Sequence, residues 1–259
     1  MIRARMLAIA ASGLATALAA VTTASDHGNL DKARPLRVED AYSIAFNSRE
    51  FQSGLEFRGG RSARSTIAFR NELQFGYARN ADVSIGWVSN LVDSRGRATA
   101  GQLDLSGFWT FRQESVRGPA LGLRVDLDVP LTTAEGSSSL GGRVRAIASR
   151  HVGRYDQLHL NLDAIREAGT RRSGSGSNPD RWAATVGFST PVGLPYRFET
   201  TAIAEVGIER AWRGGPTLGL VGAGFRRQFA PRAVWDLGAQ WVPGSRQTWR
   251  LVTGVSLSF

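Results

Sequence analysis

The chain of 259 residues contains no cysteine. Thiolate metal sites, thiol nucleophiles and disulfide scaffolds are thereby excluded. Three histidines, His27, His151 and His159, leave little for a histidine metal cage. Neither a metal nor an organic cofactor is expected. Lysine is almost missing too: Lys32 is the only one, so nearly all the positive charge is guanidinium. Long apolar runs are scarce. Only residues 6–20 are apolar along most of their length, which rules out a bundle of membrane helices.

What is present is basic charge, 32 Lys plus Arg against 22 Asp plus Glu, a balance that suits nucleic acid or another polyanion. The N-terminus narrows the choice. Arg3 and Arg5, the apolar stretch 6–20 and the small residues Thr22, Thr23 and Ala24 form the three regions of a secretory signal peptide. Its apolar core of about 15 residues is shorter than the ~20 that a spanning helix takes. Cleavage is expected after Ala24, with Ala20 as second choice. Loss of Arg3 and Arg5 leaves 30 basic and 22 acidic residues, a net +8, in a compartment without chromosomal DNA. No nucleic-acid partner is therefore expected.

The other end is more informative. From Trp249 to Phe259 the chain alternates strictly, with Trp249, Leu251, Thr253, Val255, Leu257 and Phe259 on one strand face and Arg250, Gly254, Ser256 and Ser258 on the other. This resembles the C-terminal assembly signal of bacterial outer-membrane β-barrels, in which a Gly and later apolar positions end on a terminal aromatic. Gly254, Leu257 and Phe259 match it; Val252 departs, standing where those barrels usually carry a polar residue. The resemblance implies the barrel-assembly machinery as a partner.

A barrel demands ~10-residue alternating segments through the rest of the chain, and they are there. Leu121, Leu123, Val125, Leu127 and Val129 oppose Gly122, Arg124, Asp126 and Asp128; similar alternation starts near Phe51, Ile67, Val83, Leu103, Val144, Leu158, Trp182, Phe198 and Trp235. Leu218 to Phe225 is ambiguous, because its glycines blur the two faces, and a bulge is expected there. With the terminal strand the count is about twelve, even as single-chain bacterial barrels require. The predicted fold is an all-β, transmembrane, antiparallel up-and-down barrel. Expected boundaries are a signal peptide at 1–24, a leader at 25–47 that could fill the lumen, and the barrel at 48–259. With the N-terminus inside, the long connections face outward and the short ones, such as 78–81 and 152–156, face inward. Aromatics then fall into two girdles, Phe57, Trp87, Trp182, Trp241 and Trp249 outside and Phe51, Tyr77, Trp109, Tyr196, Trp235 and Phe259 inside.

The inward face is crowded with charge. Arg70, Glu72, Asp104, Arg124, Asp126, Asp128, Arg143, Arg145, Asp163, Glu199, Glu205, Asp236 and Arg250 are the expected lumen-lining residues, joined by Glu56 and Arg58. Arg124, Arg143 and Arg145 facing Asp126, Asp128 and Asp163 predict a cross-barrel ion-pair network; charged rings that select solutes and pairs that merely fill a narrow lumen are both compatible with it. Arg171, Arg172, Arg181, Arg210 and Arg213 make the outer mouth basic, which suits lipopolysaccharide phosphates or an anionic solute.

A looser resemblance covers most of the exported chain. Arg34-Pro35-Leu36-Arg37-Val38-Glu39-Asp40-Ala41-Tyr42, the Gly101-Gln102-Leu103-Asp104-Leu105 opening and the strand end Val125-Asp126-Leu127-Asp128-Val129-Pro130 are similar to outer-membrane barrels associated with transport or with phenol degradation. That resemblance implies passage of small solutes. Three functions remain open: a narrow, anion-preferring pore, a structural or surface-binding barrel with a plugged lumen, and a lipid-modifying enzyme. For the last, pairing across the turn near Arg154 sets Ser149 opposite His159, with Asp163 four residues along the same face. A solvated Ser–His pair is the expectation, and no enzyme.

Overall fold

The computed structural model describes residues 26–60, 65–92, 99–131, 138–166, 169–170, 180–194, 197–210, 215–244 and 248–259. All regular structure among them is β. The first half holds β1 Arg49–Gly59, β2 Thr66–Ala78, β3 Ala81–Val92, β4 Thr99–Arg112, β5 Ala120–Pro130, β6 Ser138–Ser139 and β7 Gly141–Val152. The second holds β8 Asp156–Arg166, β9 Gly169–Thr170, β10 Asp180–Leu194, β11 Arg197–Arg210, β12 Thr217–Ala230, β13 Ala233–Trp241 and β14 Trp249–Ser258. The two-residue strands β6 and β9 pair with each other and tie two outer connections together. The other twelve close a barrel, each antiparallel to its neighbours along the chain.

Closure joins the chain ends. β1 pairs with β14 from Glu50↔Ser258 to Gly59↔Trp249, and the Phe259 amide donates to the Arg49 carbonyl at 3.0 Å. No sheet edge is left open, which a wall standing in hydrocarbon cannot tolerate. Short turns lie on the rim where the chain enters β1, as at 79–80 and 153–155.

The alternation separates two solvents. On β5, Val125 and Leu127 are 50% and 40% exposed on the outer face, while Arg124 and Asp126 are buried inside. The same inversion runs round the barrel, with Leu105, Val144, Leu160, Leu162, Val186 and Val206 exposed and Glu56, Arg145, Asn161, Glu205 and Asp236 buried. A continuous apolar belt on the outside and charge within fit hydrocarbon, not water, as the outer medium. Trp87, Trp241 and Trp249 are exposed near one rim and Tyr77, Trp109 and Trp235 near the other, as the two-girdle reading expects; Tyr196 lies outside the described residues.

One expectation fails. No bulge interrupts Leu218 to Phe225: β12 pairs with β11 in continuous register from Arg227 to Thr217, and its irregularity against β13 falls at Gln228/Ala230, beside the turn. The faces are blurred because inward positions 222 and 224 are glycines. A Cβ on Gly224 would meet the Pro35 ring at 3.3 Å, and one on Gly222 the wall side chains Glu205 and Gln240, so the first makes room for the leader and the second for its wall partners.

Candidate functional site: the barrel lumen

Residues 30–41 are lodged against the inward faces of the strands, and 42–47 lead from them past the inner rim to β1. The leader joins β1 at Ser48, whose carbonyl accepts from the Gly76 amide on β2 while the Gly76 carbonyl accepts from the Asn47 amide, and Asn47 takes a positive φ of 63° at the corner, a conformation Asn tolerates. From there the leader bonds in turn to the walls. The Ile44 amide donates to Asp82, the Ser43 amide to Thr110 Oγ1, the Ala41 amide to Ser149 Oγ at 2.9 Å, and the Val38 and Arg37 amides to Glu205 Oε2 at 2.9 and 3.0 Å. A non-periodic segment has no ladder of its own, so the inward polar side chains satisfy its buried amides.

Charges hold the rest. Arg34 pairs with Asp236 at 3.1 Å, Lys32 with Asp126 at 3.0 Å, Asp31 with Arg226, and Arg37 with Glu209. Within the leader, Asp40 accepts from the Leu30 and Tyr42 amides at 2.7 and 3.0 Å and staples its two arms. Burial pushes the Asp40 carboxyl up to about 7, against those two amides, which pull it down. At the inner rim Tyr42 donates to Glu114, which also accepts from the His151 amide; burial raises the Glu114 carboxyl, but the bonds from His151 and Tyr42 bring it below its usual range.

Apolar side chains dock as well. Leu30, Leu36 and Val38 pack on inward-facing Ile203, and Ala41 on Phe108, Ala120 and Ile147. Inward glycines bring the wall close: a Cβ on Gly187 would lie 2.5 Å from Val38, one on Gly238 2.5 Å from the Pro35 carbonyl, and one on Gly254 against the Arg34 guanidinium. Val252, the departure from the terminal motif, is buried opposite Gly238, on the wall that faces Pro35.

Above the leader a cavity of about 430 Å³ remains toward the outer rim. Lys32, Ala33 and Arg37 border it on the leader side. On one wall Glu56 is shared by Arg58, Arg70 at 3.0 Å and Arg250 at 3.0 Å. Across from them stand Asp104 and Asp128, direct cross-strand neighbours, with Asp126, Arg143, Arg145 and Asp163. Among the described residues no cluster of His, Asp or Glu has the makings of a metal site.

The predicted lumen residues all fall on inward positions. Arg70, Asp104, Asp126, Asp128, Arg143, Arg145, Asp163 and Arg250 line the cavity; Arg124, Glu205 and Asp236 lie deeper, against the leader, and Glu72 and Glu199 share the inward faces of β2 and β11. The expected Arg–Asp network exists, with two corrections. Arg124 pairs with Glu39 of the leader, and Asp128 stands beside Asp104, outside the network. Two of the five residues expected at the basic mouth are described. Arg181, the second residue of β10, lines the cavity, and Arg210, the last of β11, sits over the Trp182 ring at 5.8 Å. Arg171, Arg172 and Arg213 lie outside the described residues.

The Ser–His pair forms, but not as expected. Ser149 Oγ and His159 Nδ1 are 2.9 Å apart, yet His159 is fully buried under the leader, not solvated. Asp163 grips Arg145 through bonds of 2.6 and 2.9 Å, and the far ring nitrogen of His159 reaches Ser189 at 3.1 Å. No carboxylate orients the imidazole, so the arrangement is not a hydrolytic triad. The leader residues Asp31, Lys32, Arg34, Arg37 and Glu39 were missed as site residues. Their signal was the charge run around Arg34, which has no strand or helix period.

A closed, twelve-stranded transmembrane barrel with a narrow charged lumen is the class this geometry defines. No family model and no curated protein matches the sequence. Solved structures do match the fold. A COG4313 outer membrane channel from Pseudomonas putida F1 aligns over 85% of this chain and 98% of its own, at 13% identity and a TM-score of 0.63. The KdgM porin aligns over 81% and 99% at 11% identity and 0.57, and the NanC porin over 80% and 98% at 8% identity and 0.58. The chain has the fold of outer-membrane channels and porins.

Proposed function

We propose that this chain is exported by cleavage after Ala24 and forms a narrow outer-membrane channel for small solutes, closed in this conformation by its own leader. The observation that carries the reading is the cavity above the leader, a space of about 430 Å³ walled by charge and ending on Lys32, Ala33 and Arg37. A barrel meant only to be filled has no use for a charged chamber at one end. The fold shared with an outer membrane channel and two porins supports the same reading.

Anions are the preferred solutes. Eight cationic side chains line the cavity against five carboxylates, and Glu56 behind three of the arginines makes a sixth, so the net charge is still positive and raises the local anion concentration. Outer-leaflet lipopolysaccharide and the barrel-assembly machinery are the other partners, the latter through Gly254, Leu257 and Phe259. We assign no catalysis, since the buried His159 has neither an orienting carboxylate nor access to lipid.

The docked apolar group of Leu30, Leu36, Val38 and Ile203 favours one other reading, a structural barrel filled for good. Single-channel recording in a planar bilayer separates the two. The channel reading expects low or gated conductance for the native chain, larger conductance when leader contacts are weakened, and a reversal potential in asymmetric KCl of the sign for anions. Zero conductance from native and leader-weakened chains alike refutes it, and cation preference refutes the charge argument.

A further inference from the structure

Glu39 is held in a manner that simple filling of the lumen does not require. Its side chain is buried, with one oxygen accepting from Arg124 Nε at 2.5 Å and the other from Arg145 Nη1 at 3.0 Å. Its backbone is recognised in both directions by Asn161, whose Oδ1 accepts from the Glu39 amide at 2.7 Å and whose Nδ2 donates to the Glu39 carbonyl at 2.8 Å. Two guanidinium groups and one carboxamide thus grip a carboxylate together with its own peptide unit.

Among the described residues, the carboxylate bonded to Arg124 comes from the leader and not from the wall. Arg124, Arg143 and Arg145 come from adjacent strands β5 and β7, with Arg124 directly opposite Arg145. Against these three stand two wall carboxylates: Asp163 is clasped by Arg145, and Asp126 is taken by Arg143 at 2.7 Å and by Lys32. Arg124 is bonded to neither of them, and Glu39 supplies its ion pair. Arg124 Nη1 is buried and has no hydrogen-bond partner among the described residues, so one donor of the pocket is unused by Glu39. Phe108, 5.1 Å from the Arg124 guanidinium, fixes its plane. When the leader leaves, Arg124 loses its bonded carboxylate in a confined space, and an anion in the place of Glu39 restores that pair.

We propose that this pocket is the channel's solute-binding site, that its ligand is a small carboxylate bearing an adjacent amide, such as an N-acyl amino acid or a short acidic peptide, and that Glu39 occupies it in the closed state as a tethered competitor. The proposal rests on the channel reading above. Binding and opening are then linked: solute that reaches the pocket competes with Glu39 and stabilises the undocked leader, by mass action on the open form.

The test uses the full chain in detergent, with N-acetylglutamic acid α-amide as probe and N-acetylglutamine α-amide as its uncharged isostere. Glu39→Gln removes the competing charge and keeps the side-chain shape. Calorimetry at pH 7 is expected to show the acid probe binding Glu39→Gln at least ~10-fold more tightly than the native chain, since a site blocked most of the time loses apparent affinity in proportion. The isostere should not bind. Glu39→Asp, which keeps the charge but shortens the reach, should fall between the two, and serves if Glu39→Gln fails the heat-modifiability check for folding. Adding Arg124→Met to either variant should abolish the gain. Equal binding of acid and isostere, or no gain over the native chain in a folded Glu39 variant, overturns the proposal. Calorimetry needs no ion flow, so absence of conductance in every variant would count against the channel reading alone.

Discussion

Gly187→Val should loosen the leader without harming the barrel. Gly187 faces inward on β10, and a Cβ there would stand 2.5 to 2.9 Å from three carbons of Val38, closer than atoms can pack. Val38 cannot yield, because it is buried with Leu30, Leu36 and Ile203 and its amide is tied to Glu205. Overpacking of this kind costs ~1 to 3 kcal/mol, and expelling Val38 forfeits about 1.5 kcal/mol or more of apolar burial. Docking is therefore weakened by roughly 2 to 4 kcal/mol, a rise of about 30-fold to 1000-fold in the ratio of undocked to docked leader. The strand itself does not suffer, since Val suits a strand better than Gly by ~0.5 to 1 kcal/mol. Gly107→Val is the control. It makes the same change in propensity at a position where an added Cβ meets nothing within 4 Å. Open probability in planar bilayers and protease cleavage of the leader should both rise for Gly187→Val and stay native for Gly107→Val. Native conductance and a protected leader in Gly187→Val would refute the docking geometry.

Deleting Phe259 should block assembly, seen as loss of the heat-modifiable folded band, because its amide bonds to Arg49 at the closing seam. Val125→Arg should abolish the folded band, since Val125 is half exposed to hydrocarbon at the middle of β5, where Arg costs ~2 to 4 kcal/mol, whereas Asp126→Ala frees Lys32 and Arg143 inside the lumen and should raise conductance with the barrel still assembled. Asp40 makes closure depend on pH. Its carboxyl is raised by burial to about 7 in the docked leader, so docking is strongest below the ordinary carboxylate range, weakens as pH rises, and is weakest above 7. Open probability should climb between pH 4 and 7, and Asp40→Asn should flatten that rise; an unchanged slope would remove Asp40 from the mechanism.

The wall was legible because alternation is a direct readout of two solvents. On β5 every second residue from Leu121 to Val129 is apolar, and each falls outward as read. The closed lumen was not legible, since a leader that bonds to side chains leaves no period in the sequence. Two traces of it were nonetheless there. Phe108, Ile147 and Ile203 sit at inward positions, where a water-filled lumen offers them nothing, and each touches the leader's apolar residues. Gly187, Gly224, Gly238 and Gly254 also fall on inward positions, and each clears space for Val38, Pro35 or Arg34. Glycine read only as blurring a strand face was marking where a second segment of backbone passes.

The same contacts explain how a buried segment can still be released. Had the leader been held by a broad apolar interface, leaving would expose that surface to the watery lumen and closure would be permanent. Its apolar anchors are instead two small groups, around Ile203 and around Phe108, and the remaining hold is ionic: Arg34 with Asp236, Lys32 with Asp126, Glu39 with Arg124 and Arg145. Buried ion pairs contribute little net stability, because the charges regain most of what they lose once water or another ion reaches them. The wall depends on none of this, its twelve ladders closing on themselves through β1 and β14. Stability and closure are thus carried by separate sets of bonds. A ligand that supplies the charge Glu39 supplies can exchange with the leader at little cost to the barrel around it.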